Sequence, residues 1–379
     1  MRIAFLAASQ VPSLTANSIR VMKVCQAFVE LGHEVRLWVP RTPTPLDWEQ
    51  ASRHYGLRHR FPVTFVDGLA GLRRWDVSLR SAAAASRWNA GLYYVWPYQA
   101  AAFLSVMGKP TVLEVHDRPA GVAGPLLFRI YLRGRGARRV LPITESLRRA
   151  LERDFGPRLR PPFTRVLPSG VDLAAYDSLP DAQAARARLG FPEKLTATYT
   201  GHLYPGRGLG LMVNLARRNP DVSFVWAGGR PEDVAAWTAR LKDEGIDNIR
   251  VLGFIPNADL PLVQAAGDVL LMPYARKIAV SSGGDTAAYA SPMKAFEYLA
   301  AGRAILASDL PVFGEVLDAD NCLLLPPEDV DAWDHALRKV LADRPLRETL
   351  ASQARRDARA YGWTERARRA IEGLDQVSR

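Results

Sequence analysis

The chain has 379 residues, a length that predicts two domains of average size. Of these residues 48% are hydrophobic and 23% are charged, a composition that excludes a disordered or fibrous protein. Its net charge of +11 arises in the first half of the chain and would suit phosphates, nucleic acid or an anionic membrane surface. Two cysteines, Cys25 and Cys322, argue against a disulfide scaffold and favour a reducing, cytoplasmic compartment.

Short apolar strands alternate with amphipathic helices, beginning with an apolar segment too short for a signal peptide or a membrane span. Before Pro168 the pattern predicts a helix at Ser18–Leu31 and strands at Ile3–Leu6, Val35–Val39, Gly91–Val95, Thr111–Val115 and Val140–Ile143. After Pro168 it predicts strands at Ala197–Thr200, Val222–Ala227, Ile249–Leu252, Val269–Met272, Ala304–Ala307 and Cys322–Leu325. The alternation predicts an α/β protein with two doubly wound parallel sheets, whose ligands bind beyond the carboxyl ends of the strands.

The first candidate site is a Gly-rich loop between a strand and a helix, YTGHLYPGRGLG at Tyr199–Gly210. Backbone N–H groups at such a helix start hold phosphates, and Arg207 would add a rigid positive fork. The alternative is a tight turn with a surface arginine. A nicotinamide site is excluded because the next strand ends in WAGG at 226–229, where that site needs an acidic residue.

The second candidate site is a helix start in SPMKAFEYLAAG at Ser291–Gly302. Ser291 is predicted as the N-cap, Pro292 as a first-turn residue and Gly302 as the residue that ends the helix. Lys294 lies in the first turn, where a cation is unfavourable unless it helps to hold an anion. The alternative is a capped core helix with solvated charges.

These two segments resemble the family 4 glycosyltransferases of the GT-B fold. Further segments share the resemblance: VLPSGVD at 166–172, NIRVLGFIPNADLP at 248–261, DVLLMPY at 268–274, RAILASDLP at 303–311 and YGWTERAR at 361–368. The resemblance implies two Rossmann-like domains facing a central cleft: an N-terminal acceptor domain (1–175), a C-terminal donor domain (176–360) and a final helix (361–379) that crosses back to the first domain. It also implies retaining transfer of a sugar from a UDP- or GDP-sugar.

The resemblance assigns roles to individual residues of the second half. It implies that the donor is bound by the phosphate loop, the helix start and a ribose-binding carboxylate: Gly201, His202, Gly206, Gly208, Ser291, Pro292, Met293 and Glu297. Arg207 and Lys294 would stabilise the leaving diphosphate, so that no metal and no other cofactor is needed.

The chain departs from the family at three positions. Tyr289 stands where the family has a glutamate that contacts the sugar, and Asp285, in the stretch 281–286, is the nearest replacement carboxylate unless that stretch is a surface loop. His202 stands in place of the usual arginine and Arg207 in place of the usual lysine.

In the first half, LEVHD at Leu113–Asp117 ends a predicted strand and resembles the family segment whose histidine faces the donor sugar. The resemblance therefore makes His116 a catalytic residue, whereas a histidine at a strand end is otherwise more often structural. Asp117 and Arg118 are nearby candidates for acceptor binding. A lipid-linked or phosphorylated acceptor would suit the basic first half, with Arg129–Arg165 resting on anionic lipid, but a small soluble acceptor fits equally well.

Other readings remain open beside this one. A non-catalytic subunit of the same fold that binds a nucleotide sugar would explain Tyr289, and an epimerase or phosphorylase of this fold is a further alternative. A nucleic-acid-binding module is disfavoured, because no recognisable reader fold or interleaved aromatic and basic motif occurs. Asp318 and Asp320 form an Asp-x-Asp pattern, but we interpret it as a polar turn rather than a metal site.

Overall fold

The computed structural model describes residues 1–69, 75–277 and 288–374. Within them the chain forms two compact units: unit 1 contains Met1–Ser169 and the segment from Trp363 onward, and unit 2 contains Gly170–Gly362. Each unit has its own parallel sheet with helices packed around it.

The strands of unit 1 are β1 (Arg2–Leu6), β2 (Glu34–Pro40), β3 (Val63–Val66), β4 (Leu92–Val95), β5 (Thr111–Val115) and β6 (Ala137–Pro142). Its helices before the second unit are α1 (Ala16–Glu30), α2 (Trp48–Tyr55), α3 (Trp75–Arg87), α4 (Tyr98–Val106), α5 (Ala123–Arg133) and α6 (Glu145–Phe155). The sheet order is β3-β2-β1-β4-β5-β6, and every neighbouring pair is parallel.

The strands of unit 2 are β7 (Thr196–Thr200), β8 (Ser223–Ala227), β9 (Ile249–Gly253), β10 (Val269–Met272), β11 (Ala304–Ser308) and β12 (Leu323–Leu325). Its helices are α7 (Ala182–Leu189), α8 (Leu209–Arg218), α9 (Pro231–Asp243), α10 (Leu260–Ala265), α11 (Met293–Ala301), α12 (Val330–Ala342) and α13 (Arg344–Ala358). The sheet order is β12-β11-β10-β7-β8-β9, again parallel. The chain then returns to unit 1 as α14 (Trp363–Ile371).

Both sheets reverse their strand order beside their first strand. In unit 1 the reversal lies between β1 and β4, with Leu6 opposite Val95, and in unit 2 between β7 and β10, with Ala197 opposite Val269. The central strands are apolar runs buried on both faces, as a parallel sheet requires. The predicted doubly wound α/β architecture is confirmed, and each reversal opens a crevice at the carboxyl ends of two strands.

The structure corrects several predicted boundaries. β3 was not predicted, because this four-residue strand is only half buried at the sheet edge and leaves a weak pattern. Helix α1 begins at Ala16 rather than Ser18, since the side chain of Thr15 accepts a hydrogen bond from the Ser18 N–H. The units divide after Ser169 rather than after residue 175, because the Val171 N–H donates to the Tyr361 carbonyl within unit 2.

In the described ranges, no helix combines the length and the apolar composition needed to cross a membrane.

Candidate functional site

The Gly-rich loop of unit 2 follows β7 and leads into α8, beside the reversal of strand order. Gly201, Gly206 and Gly208 all have positive φ angles, of 147°, 85° and 69°. A Cβ atom on Gly208 would lie 1.8 Å from the Pro273 carbonyl oxygen, so only glycine fits between this loop and the end of β10. Gly208 is also the N-cap of α8, and no side chain caps that helix. The first-turn N–H groups of α8 thus have no side-chain cap, as an anion site requires.

Two cations lie at this loop: Lys294, which is buried, and Arg207, a loop residue that is half-buried. The Nζ of Lys294, a residue only 8% exposed, lies 3.9 Å from the centroid of the Tyr199 ring and 5.1 Å from that of Tyr274. The Arg207 guanidinium lies 4.7 Å from the centroid of the same Tyr274 ring. It also donates to the Tyr204 hydroxyl at 3.1 Å. Tyrosine faces attract both cations, and Tyr274 is shared between them.

These cations are not neutralised by any described residue. Among the described residues, neither Arg207 nor Lys294 forms an ion pair with a carboxylate, and the Lys294 Nζ and the Arg207 Nε are buried without hydrogen-bond partners. Burial, followed by repulsion from Arg207, holds the pKa of the Lys294 ammonium well below its usual value despite attraction from Glu297. A buried cation with free donors is costly, and a bound anion would relieve that cost.

His202 is a neutral member of this loop. Its ring stacks on Tyr204, with 5.0 Å between centroids. Burial, followed by the nearby charges of Arg207 and Lys294, lowers the pKa of the imidazole to about 4. At neutral pH it can therefore contribute hydrogen bonds but no positive charge to a phosphate.

The start of α11 differs from the prediction. The helix begins at Met293, and the extended Pro292 (φ −69°, ψ 128°) is the N-cap, with no side-chain cap hydrogen bond. The predicted N-cap Ser291 is wrong because it precedes the cap by one residue. Lys294 does lie in the first turn, and Gly302 ends the helix in a left-handed conformation, as predicted.

Glu297, on α11, is supported by residues that the sequence analysis missed. Its Oε2 accepts from Gln264 Nε2 at 3.4 Å. Gln264, which is completely buried on α10, also donates to Thr200 and accepts from the hydroxyl of Tyr176 at 2.8 Å. A lone glutamine within the apolar helix LPLVQA was the available signal. Tyr289 lies within the described residues, whereas Asp285 and the stretch 281–286 lie outside them.

His116, in unit 1, follows β5 and is held by a carboxylate. Its Nε2 lies 2.7 Å from Oε1 of the buried Glu114, and its ring packs edge-to-face on Trp96. An ionised carboxylate only accepts hydrogen bonds, so Nε2 carries the proton and Nδ1 of the neutral ring is left as an acceptor. Burial lowers the pKa of His116, although Glu114 partly opposes this.

Glu114 is compensated by the returning helix α14. Arg366 Nη2 lies 3.0 Å from Glu114 Oε2, and the hydroxyl of Tyr94 donates to the same oxygen. Arg366 also donates to the carbonyls of Leu167 and Pro168. Burial alone would raise the pKa of Glu114, but Arg366 and then His116 hold it well below its usual value. Neither Glu114 nor Arg366 was predicted from the sequence as a member of this site.

The two predicted acceptor residues lie at the same end of β5. Asp117 accepts from the N–H of Arg118 at 2.7 Å. The guanidinium of Arg118 forms an ion pair with Asp154 on α6 at 2.6 Å. Their role in acceptor binding stays a prediction.

The Asp-x-Asp segment forms a polar turn, as predicted. Asp318 Oδ1 accepts from the N–H groups of Asp320 and Asn321. Among the described residues, no group of three or more potential ligands is arranged to hold a metal ion. Independence from metal stays a prediction.

Comparison with known proteins matches both halves of the chain. Residues 18–175 match the family model described as Glycosyltransferase Family 4, and residues 197–343 match that described as Glycosyl transferases group 1. A phosphatidyl-myo-inositol mannosyltransferase of Mycolicibacterium smegmatis is 28% identical over 222 residues, which are 56% of this chain and 52% of that protein. A D-inositol 3-phosphate glycosyltransferase of Kineococcus radiotolerans is 26% identical over 341 residues, 85% of this chain and 72% of that protein. The chain spans about half the length of the first curated relatives that it matches.

Solved structures share the fold at low sequence identity. Anabaena Alr3699/HepE in complex with UDP-glucose superposes with a TM-score of 0.75 at 17% identity, covering 99% of this chain and 100% of that one. Sucrose-phosphate synthase from Thermosynechococcus elongatus has a TM-score of 0.74 at 17% identity, covering 99% and 98%.

Proposed function

Because this chain belongs to the family 4-like glycosyltransferases of the GT-B fold, we propose that it transfers a sugar, with retention of configuration, from a nucleotide-diphosphate sugar to a hydroxyl acceptor. The observation that carries the proposal is the pair of cations at the Gly-rich loop, the buried Lys294 and the half-buried Arg207, which have no carboxylate partner among the described residues. UDP and GDP are the proposed nucleotides. UDP is to be tested first, because the Anabaena Alr3699/HepE structure contains it.

The diphosphate is proposed to lie against the N-terminus of α8. There the Arg207 fork and the Lys294 ammonium bind its oxygens and gain the partners that they lack. As the bond between sugar and phosphate breaks, negative charge grows on the leaving diphosphate and both cations stabilise it. Losing one preorganised donor of this kind commonly costs ~10²–10³ in rate. This positive charge replaces a divalent metal in the proposed mechanism.

Glu297 and His116 complete the proposed roles. The Glu297 carboxylate, oriented by Gln264, accepts hydrogen bonds from the ribose hydroxyls. The Nδ1 of His116, left as an acceptor by the Glu114 contact, is proposed to accept a hydrogen bond from a sugar hydroxyl. Tyr289, standing where the family has a sugar-binding glutamate, is proposed to alter the choice of sugar.

The acceptor is proposed to be phosphorylated or lipid-linked. The relatives named above carry phosphatidyl-myo-inositol and D-inositol 3-phosphate in their names, and both compounds contain a phosphate. Asp117 and Arg118 remain the proposed acceptor residues. A non-catalytic subunit that binds a nucleotide sugar is the second candidate, which Tyr289 favours.

A thermal-shift panel tests the donor site. UDP, GDP, ADP and TDP are added with and without Mg²⁺ to the wild type, Arg207→Met and Lys194→Met, the last being an exposed control in the same unit. A nucleotide at ~100-fold over its dissociation constant stabilises by ~2.7 kcal/mol. We expect one nucleotide to raise the Tm without metal in the wild type and control but not in Arg207→Met. No shift with any nucleotide refutes the donor site, and a shift without sugar transfer to any acceptor supports the second candidate.

A further inference from the structure

Large exposed apolar side chains concentrate on three consecutive helices of unit 1. On α3, α4 and α5 or directly at their ends, the structure exposes Trp75, Leu79, Phe103, Val106, Met107, Val122 and Leu126. Elsewhere in the described ranges, only Met1, Leu69 and Leu195 are large apolar residues of comparable exposure. Scattered apolar residues are ordinary on a protein surface, but a concentration on adjacent helices marks an interaction site.

These helices form one continuous layer. α3 packs against α4 and α4 against α5. Because the strand order reverses after β3, right-handed connections place all three on one face of the sheet, opposite α1, which packs with α14. On α5 the exposed residues Val122, Leu126, Arg129 and Arg133 follow one another at intervals of three or four, so they form a single outward stripe. We call the outward side of this layer the α3–α5 face.

The α3–α5 face is basic as well as apolar. Neither α4 nor α5 contains an acidic residue. The carboxylate of Asp76, on α3, accepts a hydrogen bond from the Leu69 N–H. Arg129 and Arg133 are exposed and form no ion pair with any described residue, although Arg129 also lies over the Phe155 ring. The face therefore presents arginines without counter-ions among exposed apolar side chains.

Several arginines later in the stretch 129–165 are paired with carboxylates. On α6, Arg148 pairs with Glu145 and Glu152, and Arg149 pairs with Glu145. Beyond α6, Arg160 pairs with Glu152 and Arg165 with Glu372. The arginines of α6 are thus compensated by carboxylates, whereas Arg129 and Arg133 on α5, beside the apolar residues, are not. Outside α5, the exposed Arg135 and Arg158 also form no ion pair with any described residue.

We propose that the α3–α5 face docks on the surface of an anionic lipid bilayer. The apolar side chains enter the boundary between headgroups and acyl chains, while the arginines stay level with the lipid phosphates. A second copy of the chain fits the face poorly, because pairing the face with itself would oppose arginine to arginine. The proposal does not depend on the donor site in unit 2, and its test needs no nucleotide.

Vesicle flotation of the full chain tests the proposal. Vesicles of phosphatidylcholine are compared with vesicles that also contain phosphatidylglycerol, at low and high salt. The test variant Leu126→Asp/Arg129→Glu puts negative charge at the centre of the α3–α5 face. The control Leu195→Asp/Arg188→Glu makes the same change in net charge at exposed positions of unit 2. Circular dichroism and the Tm without nucleotide verify that each variant folds.

We expect the wild type and the control to float with phosphatidylglycerol vesicles at low salt and to be released by high salt. The test variant should lose roughly tenfold or more in partition coefficient. The second variant Val106→Asp/Arg133→Glu should lose as much, because it changes the same face on two helices. Failure of the wild type to float, or an equal loss in the control, would overturn the proposal. A dimer that is present without lipid and is dissolved by the test variant would assign the face to self-association instead.

Discussion

Replacing Lys294 by methionine should stabilise the protein without nucleotide and destabilise it with nucleotide. An unpartnered buried polar group costs about 1–3 kcal/mol, and methionine fills a similar volume without that cost. The lost attraction to the Tyr199 ring, 3.9 Å from the ammonium, offsets about 0.5–2 kcal/mol of the gain. We therefore expect a net gain of about 1 kcal/mol, or roughly 2–4 °C in Tm for a domain of this size.

With saturating nucleotide the order should reverse. The wild type gains ~2.7 kcal/mol at 100-fold over its dissociation constant, whereas the variant has lost a phosphate donor and gains less at the same concentration. Differential scanning fluorimetry of both proteins, with and without UDP or GDP, measures whether the order of their Tm values reverses. A variant that is less stable without nucleotide, yet has an unchanged nucleotide shift, would refute the assignment of Lys294 as a cation prepared for an anion.

The pH dependence provides an independent check. The pKa of Lys294 is lower in the folded protein than in the unfolded chain, so the unfolded chain binds more protons between those two pKa values. The free energy of unfolding of the wild type should therefore rise with pH across that window, relative to that of the variant. This rise should end near the ordinary lysine pKa of about 10.4. Parallel stability curves for the two proteins would contradict the depressed pKa.

Three further outcomes are expected. Gly208→Ala should lower the urea midpoint and weaken nucleotide binding, because the new Cβ would meet a backbone carbonyl. At the nearby Gly210 the new Cβ would enter open space, so Gly210→Ala should stabilise α8 by about 0.5–1 kcal/mol. Equal midpoints for the two variants would contradict this. Arg366→Met should cost about 3–5 kcal/mol in equilibrium unfolding because it leaves the buried Glu114 charge unpaired, and a loss below about 1 kcal/mol would show that another group compensates it. The pKa of His202 is about 4, so its ring stays neutral between pH 5.5 and 8. Nucleotide affinity, measured by isothermal titration, should therefore have the same pH dependence in the wild type and in His202→Gln over this range.

The sequence predicted the parts of the site that depend on local structure. A strand followed by closely spaced glycines indicated the loop at Gly201–Gly208, and the structure requires a positive φ angle at each of its three glycines. The first-turn position of Lys294 followed from helix-boundary rules, although the cap itself was assigned one residue early. Such features depend on a few consecutive residues, so the local sequence is sufficient to predict them.

The partners of the site residues could not be predicted in this way. Arg366 contacts the Tyr94 hydroxyl across 272 residues of chain, and Tyr176 contacts Gln264 across 88. Each of these side chains is an ordinary polar residue in its own segment. The long-range pairing becomes visible only when α14 packs into unit 1 and α10 packs in unit 2.

By itself, the sequence determined the doubly wound architecture and the segments that carry the candidate site, because hydrophobic period and glycine placement act locally. Only the tertiary structure decided the charge state of the site. Whether Lys294 and Arg207 are solvated or buried, whether His202 is charged, and which arginines of unit 1 lack a counter-ion all depend on what packs around them. The free energy of a charge depends on its surroundings more than on its own chemistry, and those surroundings come from distant parts of the chain.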